Sequence, residues 1–168
     1  MYLVNTRPDI CYAVNTLNQF MVEPRRAHWA AAKHILIYLR GTVKYGLKYT
    51  KGNEIHLSGF TDADWARSTV DRKSTSGYCF SLGSGMTSWC SKKQNSIALS
   101  LAEAKYMAAS TASCKTIWLR KLLLNLLKKR IVPIGIMCDN QSCIKLSENL
   151  VFHDRSKHID IRCHFIRD

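Results

Sequence analysis

Two stretches of the chain join apolar, strand-like runs to carboxylates. Gly59-Phe60-Thr61-Asp62-Ala63-Asp64-Trp65 carries two acids, and Ile134-Gly135-Ile136-Met137-Cys138-Asp139-Asn140 carries one. Acids are scarce here, with 12 Asp and Glu against 25 Lys and Arg. Two strands that each deliver a carboxylate from the C-terminal tip could cradle a hard divalent cation such as Mg²⁺, which prefers carboxylate oxygens. The plainer alternative is that these aspartates close their strands as turn residues, a role that Asp favours. On pattern alone that alternative is the stronger of the two.

Placing the acids requires a sheet and something to support it. From Tyr45 the hydrophobic period falls from 3.6 to about 2, which predicts strands over 46–49 and 55–60 with a turn at 51–53. Residues 65–76 read as polar and irregular. A hairpin is predicted from 77–82 and 86–91, turning through Gly83-Ser84-Gly85. A long helix follows over 99–127, closed by Lys128-Lys129-Arg130, whose charges suit a helix C-terminus better than a targeting signal. Pro133 opens a strand to Cys138, a short helix spans 141–147, and 156–168 reads as helical. Upstream, Thr6 can cap a helix with Pro8 and Asp9 in its first turn. Ile10, Ala13, Val14, Leu17 and Phe20 recur along it at helical spacing. A second helix over 25–40 sets Trp29, Ala32, Ile35, Leu36 and Leu39 on one face and stops at Gly41, which makes an antiparallel helical hairpin. His28 and His34 miss the i, i+4 spacing of a metal-binding pair and read as surface or packing residues.

At 168 residues the chain is one domain of ordinary size, or one domain and part of another. Its formal charge of +13 favours a polyanionic partner, nucleic acid before an acidic membrane surface. No apolar run approaches the roughly 20 residues of a membrane span. The opening residues lack the apolar core of a signal peptide, which leads us to expect an intracellular protein; the start falls inside a structural pattern. Seven cysteines without a C-x-x-C pair read as free thiols in a reducing compartment.

Several motifs, in order along the chain, resemble the reverse transcriptase–ribonuclease H junction of copia-type LTR retrotransposon Pol polyproteins. They are Thr6-Arg7-Pro8-Asp9-Ile10; His28-Trp29 through Tyr38-Leu39-Arg40-Gly41-Thr42; Thr61-Asp62-Ala63-Asp64-Trp65; Arg72-Lys73-Ser74-Thr75-Ser76-Gly77; Trp118-Leu119-Arg120; Cys138-Asp139-Asn140-Gln141-Ser142; and Lys157-His158-Ile159-Asp160. The resemblance implies that residues 1–50 are the helical end of the reverse transcriptase. Residues 51–168 would be a ribonuclease H-like α/β domain, a mixed five-stranded sheet flanked by helices, lacking its last strand and helix. It also implies two Mg²⁺ ions, held by four acids, that cleave RNA in RNA–DNA hybrids.

Carried over by position, Asp62 and Asp139 are the implied catalytic and metal-binding acids, with Asp64 an accessory. The family's long helix reads Glu-Ala-Glu-Tyr-Met-Ala, and its second Glu is a metal ligand. Here the segment is Glu103-Ala104-Lys105-Tyr106-Met107-Ala108, so Lys105 holds that position. Residues two apart on a helix point roughly 200° from each other, so Glu103 cannot take over while Lys105 faces Asp62. A unit charge about 4 Å from a divalent ion is worth roughly 8 kcal/mol at an effective dielectric of about 20, and lysine inverts its sign. The fourth acid of the family lies beyond Asp168. His153, His158 and His164 belong to a family stretch without structural zinc. The expected protein is therefore a retroelement-derived domain with hybrid cleavage lost or severely reduced. The competing expectation is a non-catalytic nucleic-acid-binding or protein-interaction module, effector-like in some microbes, with Arg72, Lys73, Lys92 and Lys93 as phosphate contacts.

Overall fold

The structure is a computed structural model that describes residues 2–51, 56–128 and 133–148. The sheet has strand order β3-β2-β1-β4, with β1 at Leu57–Ala63, β2 at Thr75–Leu82, β3 at Gly85–Lys93 and β4 at Ile136–Met137. β1, β2 and β3 form an antiparallel meander, and β4 adds parallel to β1 with Gly59 opposite Ile136. It is thus a mixed sheet in an α/β protein with four α-helices among the described residues.

Period-2 alternation builds β1: Leu57, Gly59, Thr61 and Ala63 are buried while Phe60 and Asp62 are exposed. Gly59 is obligatory by close approach, since a Cβ there would meet the Phe80 ring at 2.6 Å. Phe80 is fully buried and forms the core with Leu57 and with Ala112, Leu119 and Leu123 of α3, the helix Leu101–Leu127. Fully burying such apolar side chains is worth about 1.5–3 kcal/mol each. At the other end of the strand the contact changes size. Ala63, Ala98, Ala104 and Ala108 pack together, and these small side chains let the first turns of α3 lie close to the tip of β1.

Residues 11–18 lie against β3, the outer edge strand, and residues 26–41 pack on them. A 3₁₀ turn at Pro8–Ile10 leads into α1 (Cys11–Asn18), and α2 spans Arg26–Gly41. Asn15 Nδ2 donates to the Ser91 carbonyl at 2.8 Å, and Trp89 Nε1 donates to the Val4 carbonyl at 2.8 Å. These bonds cover parts of an edge strand that would otherwise offer unpaired groups to another chain.

Three expectations need correction. No strand forms over 46–49; instead the Tyr49 hydroxyl donates to the Met86 carbonyl at 2.6 Å, and Thr50 N–H donates to Ser84 Oγ at 2.9 Å. Side-chain bonds there replace a backbone ladder. Thr6 caps no helix, because its hydroxyl donates back to the Leu3 carbonyl at 3.2 Å. On α2, Ala32, Ile35 and Leu39 are half-buried as expected, but Trp29 and Leu36 face solvent. The resemblance implied a five-stranded sheet lacking its last strand, and four strands do occur among the described residues. The helix expected over 156–168 and the three histidines near it lie outside the described residues.

Candidate carboxylate–lysine site

β1 and β4 run parallel, so their C-terminal ends share one edge of the sheet. Extending their register from Gly59 opposite Ile136 brings Asp62 level with Asp139. Asp62 lies within β1, opposite Gly77, rather than in a turn after the strand. Asp139 follows β4 and precedes α4 (Gln141–Glu148), whose start is secured by Asn140 Oδ1 accepting from Cys143 N–H at 2.8 Å. Cys143 is buried against Tyr106 of α3, which holds α4 beside that helix. Burial, then the neighbouring Cys138 thiol, pushes the Cys143 thiol up to about 12, so it is an inert packing group.

Between the two carboxylates stands Lys105. Its side chain is only 9% exposed, whereas those of Asp62 and Asp139 are 74% and 71% exposed. The ammonium lies 2.9 Å from Asp62 Oδ1 and donates to Asp139 Oδ1 as well. The stem runs through the protein while the charge emerges at the rim. Burial pulls the Lys105 ammonium down, but the Asp139 and Asp62 carboxylates outweigh it and hold the group above the ordinary lysine value. Hydrogen bonding from Lys105 in turn holds Asp139 below the usual carboxylate range.

Glu103 is also buried but serves the helix start. Its Oε2 accepts from Leu99 N–H at 2.8 Å, and its own N–H donates to Ser100 Oγ at 3.1 Å. That is a variant of the capping box, with the carboxylate reaching the residue before the cap. Asp64 is likewise engaged, its Oδ1 accepting from Thr75 N–H at 2.6 Å.

The four basic residues expected to meet phosphate gather at the same end of β2 and β3, where Thr75 pairs with Lys93 and Ser76 with Lys92. Arg72 is exposed, on a backbone at φ 54°, and Lys92 is exposed. Lys93 instead pairs with Asp71 at 2.9 Å. Hydrogen bonds from Ser68 and then Lys93 hold the Asp71 carboxyl at about 2. Lys73 contributes its backbone N–H to Asp71 Oδ1 at 3.3 Å. Sequence pattern passes over one more cation, Arg67, whose guanidinium carbon lies 5.5 Å from the centre of the Tyr12 ring on α1. Nothing in the spacing of residues 12 and 67 signals that meeting.

Among the described residues, no group of three or more His, Cys, Asp or Glu side chains converges as a metal site. All six described cysteines are free thiols. No described helix is long and apolar enough to cross a membrane.

No protein-family model matches the chain, and no solved structure matches it. Curated relatives do. The chain is 45% identical over 168 residues to the retrovirus-related Pol polyprotein from transposon TNT 1-94 of Nicotiana tabacum, covering 99% of this chain and 12% of the relative. It is 46% identical over 167 residues to the Pol polyprotein from transposon RE1 of Arabidopsis thaliana, covering 99% and 11%. It is also 49% identical over 120 residues to the secreted RxLR effector protein 161 of Plasmopara viticola, covering 71% of this chain and 84% of that protein. The chain thus spans about one eighth of the length of the polyproteins it matches. Nearly full coverage at this identity settles the family: the chain belongs to the retrovirus-related Pol polyproteins of copia-type transposons.

Proposed function

We propose that the chain is the ribonuclease H-like part of a copia-type Pol polyprotein, preceded by the end of the reverse transcriptase, in which cleavage of RNA–DNA hybrids is lost or severely reduced. The mixed sheet, with one acid in β1 and one just after its parallel neighbour β4 and a long helix packed on it, supports that fold. The boundary near residue 50 rests on the motifs. One observation carries the functional reading: the Lys105 ammonium bridges Asp62 and Asp139.

The ancestral reaction would require Mg²⁺ at those two carboxylates. The residues present do not fit it. An ammonium has three donors and no lone pair to give a metal, and here it already pairs with both acids. Glu103 does not compensate, because its carboxylate serves the start of α3. On this reading the metal ligands of an ancestral nuclease now pair with an ammonium at the protein rim, so Asp62 and Asp139 are catalytic by position and structural by present contact.

A second reading is favoured by the relative from Plasmopara viticola, a protein matched over 84% of its own length. A segment comparable to this one can stand as a separate protein. In that reading the chain is a non-catalytic module that binds nucleic acid or a protein, and its +13 charge carries the affinity.

Hybrid cleavage in Mg²⁺ separates the two. The chain and its Lys105→Glu variant are assayed side by side, each alone and extended with the following segment of the tobacco relative. We expect no measurable cleavage while Lys105 is present, and a gain for the Lys105→Glu variant in its extended form. Robust cleavage by the unaltered chain would overturn the proposal. Hybrid binding that falls steeply with salt, without cleavage in any form, would favour the second reading.

A further inference from the structure

Asp62 also borders a groove of about 260 Å³ that reaches α1 and β3, with Tyr12, Asp64, Arg67, Ser76 and Ser91 among its walls. Arg67 is the cation of this groove, and its surroundings are fixed on both sides. On the loop side, Ala66 adopts a left-handed φ of 51° and its N–H donates to the fully buried Ser74 Oγ at 3.0 Å. Ser68 N–H donates to the Lys73 carbonyl at 3.3 Å, and Arg72 N–H donates to the Ser68 carbonyl at 2.9 Å, which closes the loop on itself. On the helix side, Asn15 ties α1 to Ser91 of β3, and Tyr12 lies one turn earlier on the same helix.

The ion pairs among the described residues use Arg7, Lys93 and Lys105. Arg67 forms none, although two carboxylates line the same groove. A guanidinium held over an aromatic ring in a cation–π contact keeps N–H donors available, and that fork matches phosphate oxygens. Charge at the adjoining acids also bears on this. Asp62 and Asp139 with Lys105 sum to a single negative charge. With glutamate at 105 they would sum to three, and a phosphodiester could approach only with a metal present to offset them. The lysine that removes metal binding therefore also lowers the barrier to a polyanion.

We propose that Arg67, seated on the Tyr12 ring, anchors a backbone phosphate of a nucleic-acid strand lying in this groove, and does so without a divalent ion. Tyr12 acts as a positioning residue through Arg67. The segment before residue 50 thereby contributes to the binding surface of the sheet. This inference rests on the reading that the chain binds nucleic acid.

The test is a fluorescence-anisotropy titration of a short labelled RNA–DNA hybrid in EDTA across a sodium chloride series, with thermal melts of each protein. Compared are the unaltered chain, Arg67→Ala, Arg67→Lys and Tyr12→Leu. Arg67→Ala should weaken binding by about tenfold at low salt and reduce the slope of log K against log salt by about one. Arg67→Lys should keep the slope with weaker binding, because it retains the charge and loses the fork. Tyr12→Leu should weaken binding and leave the slope intact. If Arg67→Ala binds with unchanged affinity and slope, whether or not its melting temperature falls, the stack is packing alone and the inference fails. Binding that needs Mg²⁺ in place of EDTA would overturn the metal-free claim. A chain that does not bind the hybrid at low salt would sink the nucleic-acid reading itself, a result distinct from failure of the Arg67 arm.

Discussion

Arg7 and Lys105 are both nearly buried cations, and each meets carboxylate in the same protein. Arg7 Nε and Nη2 meet the two oxygens of Asp9 at 3.0 and 2.7 Å. Its Nη1 donates to the Thr42 carbonyl at 3.2 Å, and Nη2 donates also to Thr42 Oγ1 at 2.7 Å. Tyr38 adds a hydroxyl to Asp9 Oδ2 at 2.8 Å. The planar fork matches its partners, and the cluster joins the start of the chain to the end of α2. Lys105 brings a point charge to two carboxylates from separate elements, and both remain largely open to solvent. The Asp9 side chain is 34% exposed, about half as open as those of Asp62 and Asp139. The Lys105 cluster leaves both of its acceptors facing solvent.

The largest effect should come from reversing that sign. Lys105→Glu places three carboxylates at the strand tips and should lower thermal stability in EDTA. Mg²⁺ should then restore it, by about 2.7 kcal/mol when the ion is a hundredfold above its Kd. The unaltered chain should show no such gain in melts at matched ionic strength. An equal gain in both proteins would erase the distinction between the two clusters. Next in size is Arg7→Lys, which keeps the charge but cannot hold both Asp9 oxygens and Thr42 together. Its melting temperature should fall by several degrees, with no recovery in Mg²⁺. Recovery there would mean that the comparison has been drawn between the wrong clusters.

pH sharpens the contrast because the two cations differ in chemistry. Hydrogen bonding from Arg7 holds Asp9 at about 2, below its ordinary 3.8. Its stabilisation is present above the ordinary value and is lost as pH falls from there toward 2; Asp139, also lowered, follows the same sign. Of the two cations only Lys105 responds on the alkaline side, since arginine stays protonated; the Tyr38 hydroxyl, raised above its ordinary 10.0 by its bond to Asp9, follows the same sign there. Lys105 is raised above 10.5, so its contribution is complete below 10.5 and is lost as pH rises through the raised value. Melts of the unaltered chain and Lys105→Met should therefore differ by a constant amount between neutrality and about pH 10 and converge above it. A difference that stays flat to higher pH would show that the ion pairs add nothing.

Much of this was legible in the sequence. The hairpin of β2 and β3, the long helix and the aspartates near the strand tips follow from period and turn chemistry, and the helix came within two residues of its observed start at Leu101. The position of Lys105 came from the resemblance, and helical spacing added only that Glu103 could not share it; the structure has Glu103 bonded to Leu99 and Lys105 at the acids. What escaped was decided by contacts distant in sequence. Tyr49 and Thr50 alternate like a strand, yet their partners are a carbonyl and a hydroxyl at the hairpin turn. Lys93 reads as a free phosphate contact until Asp71 is seen beside it. Arg67 reads as nothing until Tyr12 lies beneath it.

The smallest predicted effect concerns the start of α3, where the difference between the clusters is maintained. Ser100 Oγ accepts from Glu103 N–H, and Glu103 Oε2 accepts from Leu99 N–H, so the first turn is fixed with the Glu103 carboxylate held at Leu99. Ser100→Ala removes one acceptor and should cost about 1 kcal/mol. Because the Ser100 and Leu99 bonds and the Lys105 ion pairs use different atoms, the loss should be additive with that of Lys105→Glu. The double variant should then be less stable than Lys105→Glu by that same amount, with its Mg²⁺ gain unchanged. If the gain disappears along with the cap, the helix start is part of the site itself, and the orientation of Glu103 depends on Ser100 rather than on the helical spacing of residues 103 and 105.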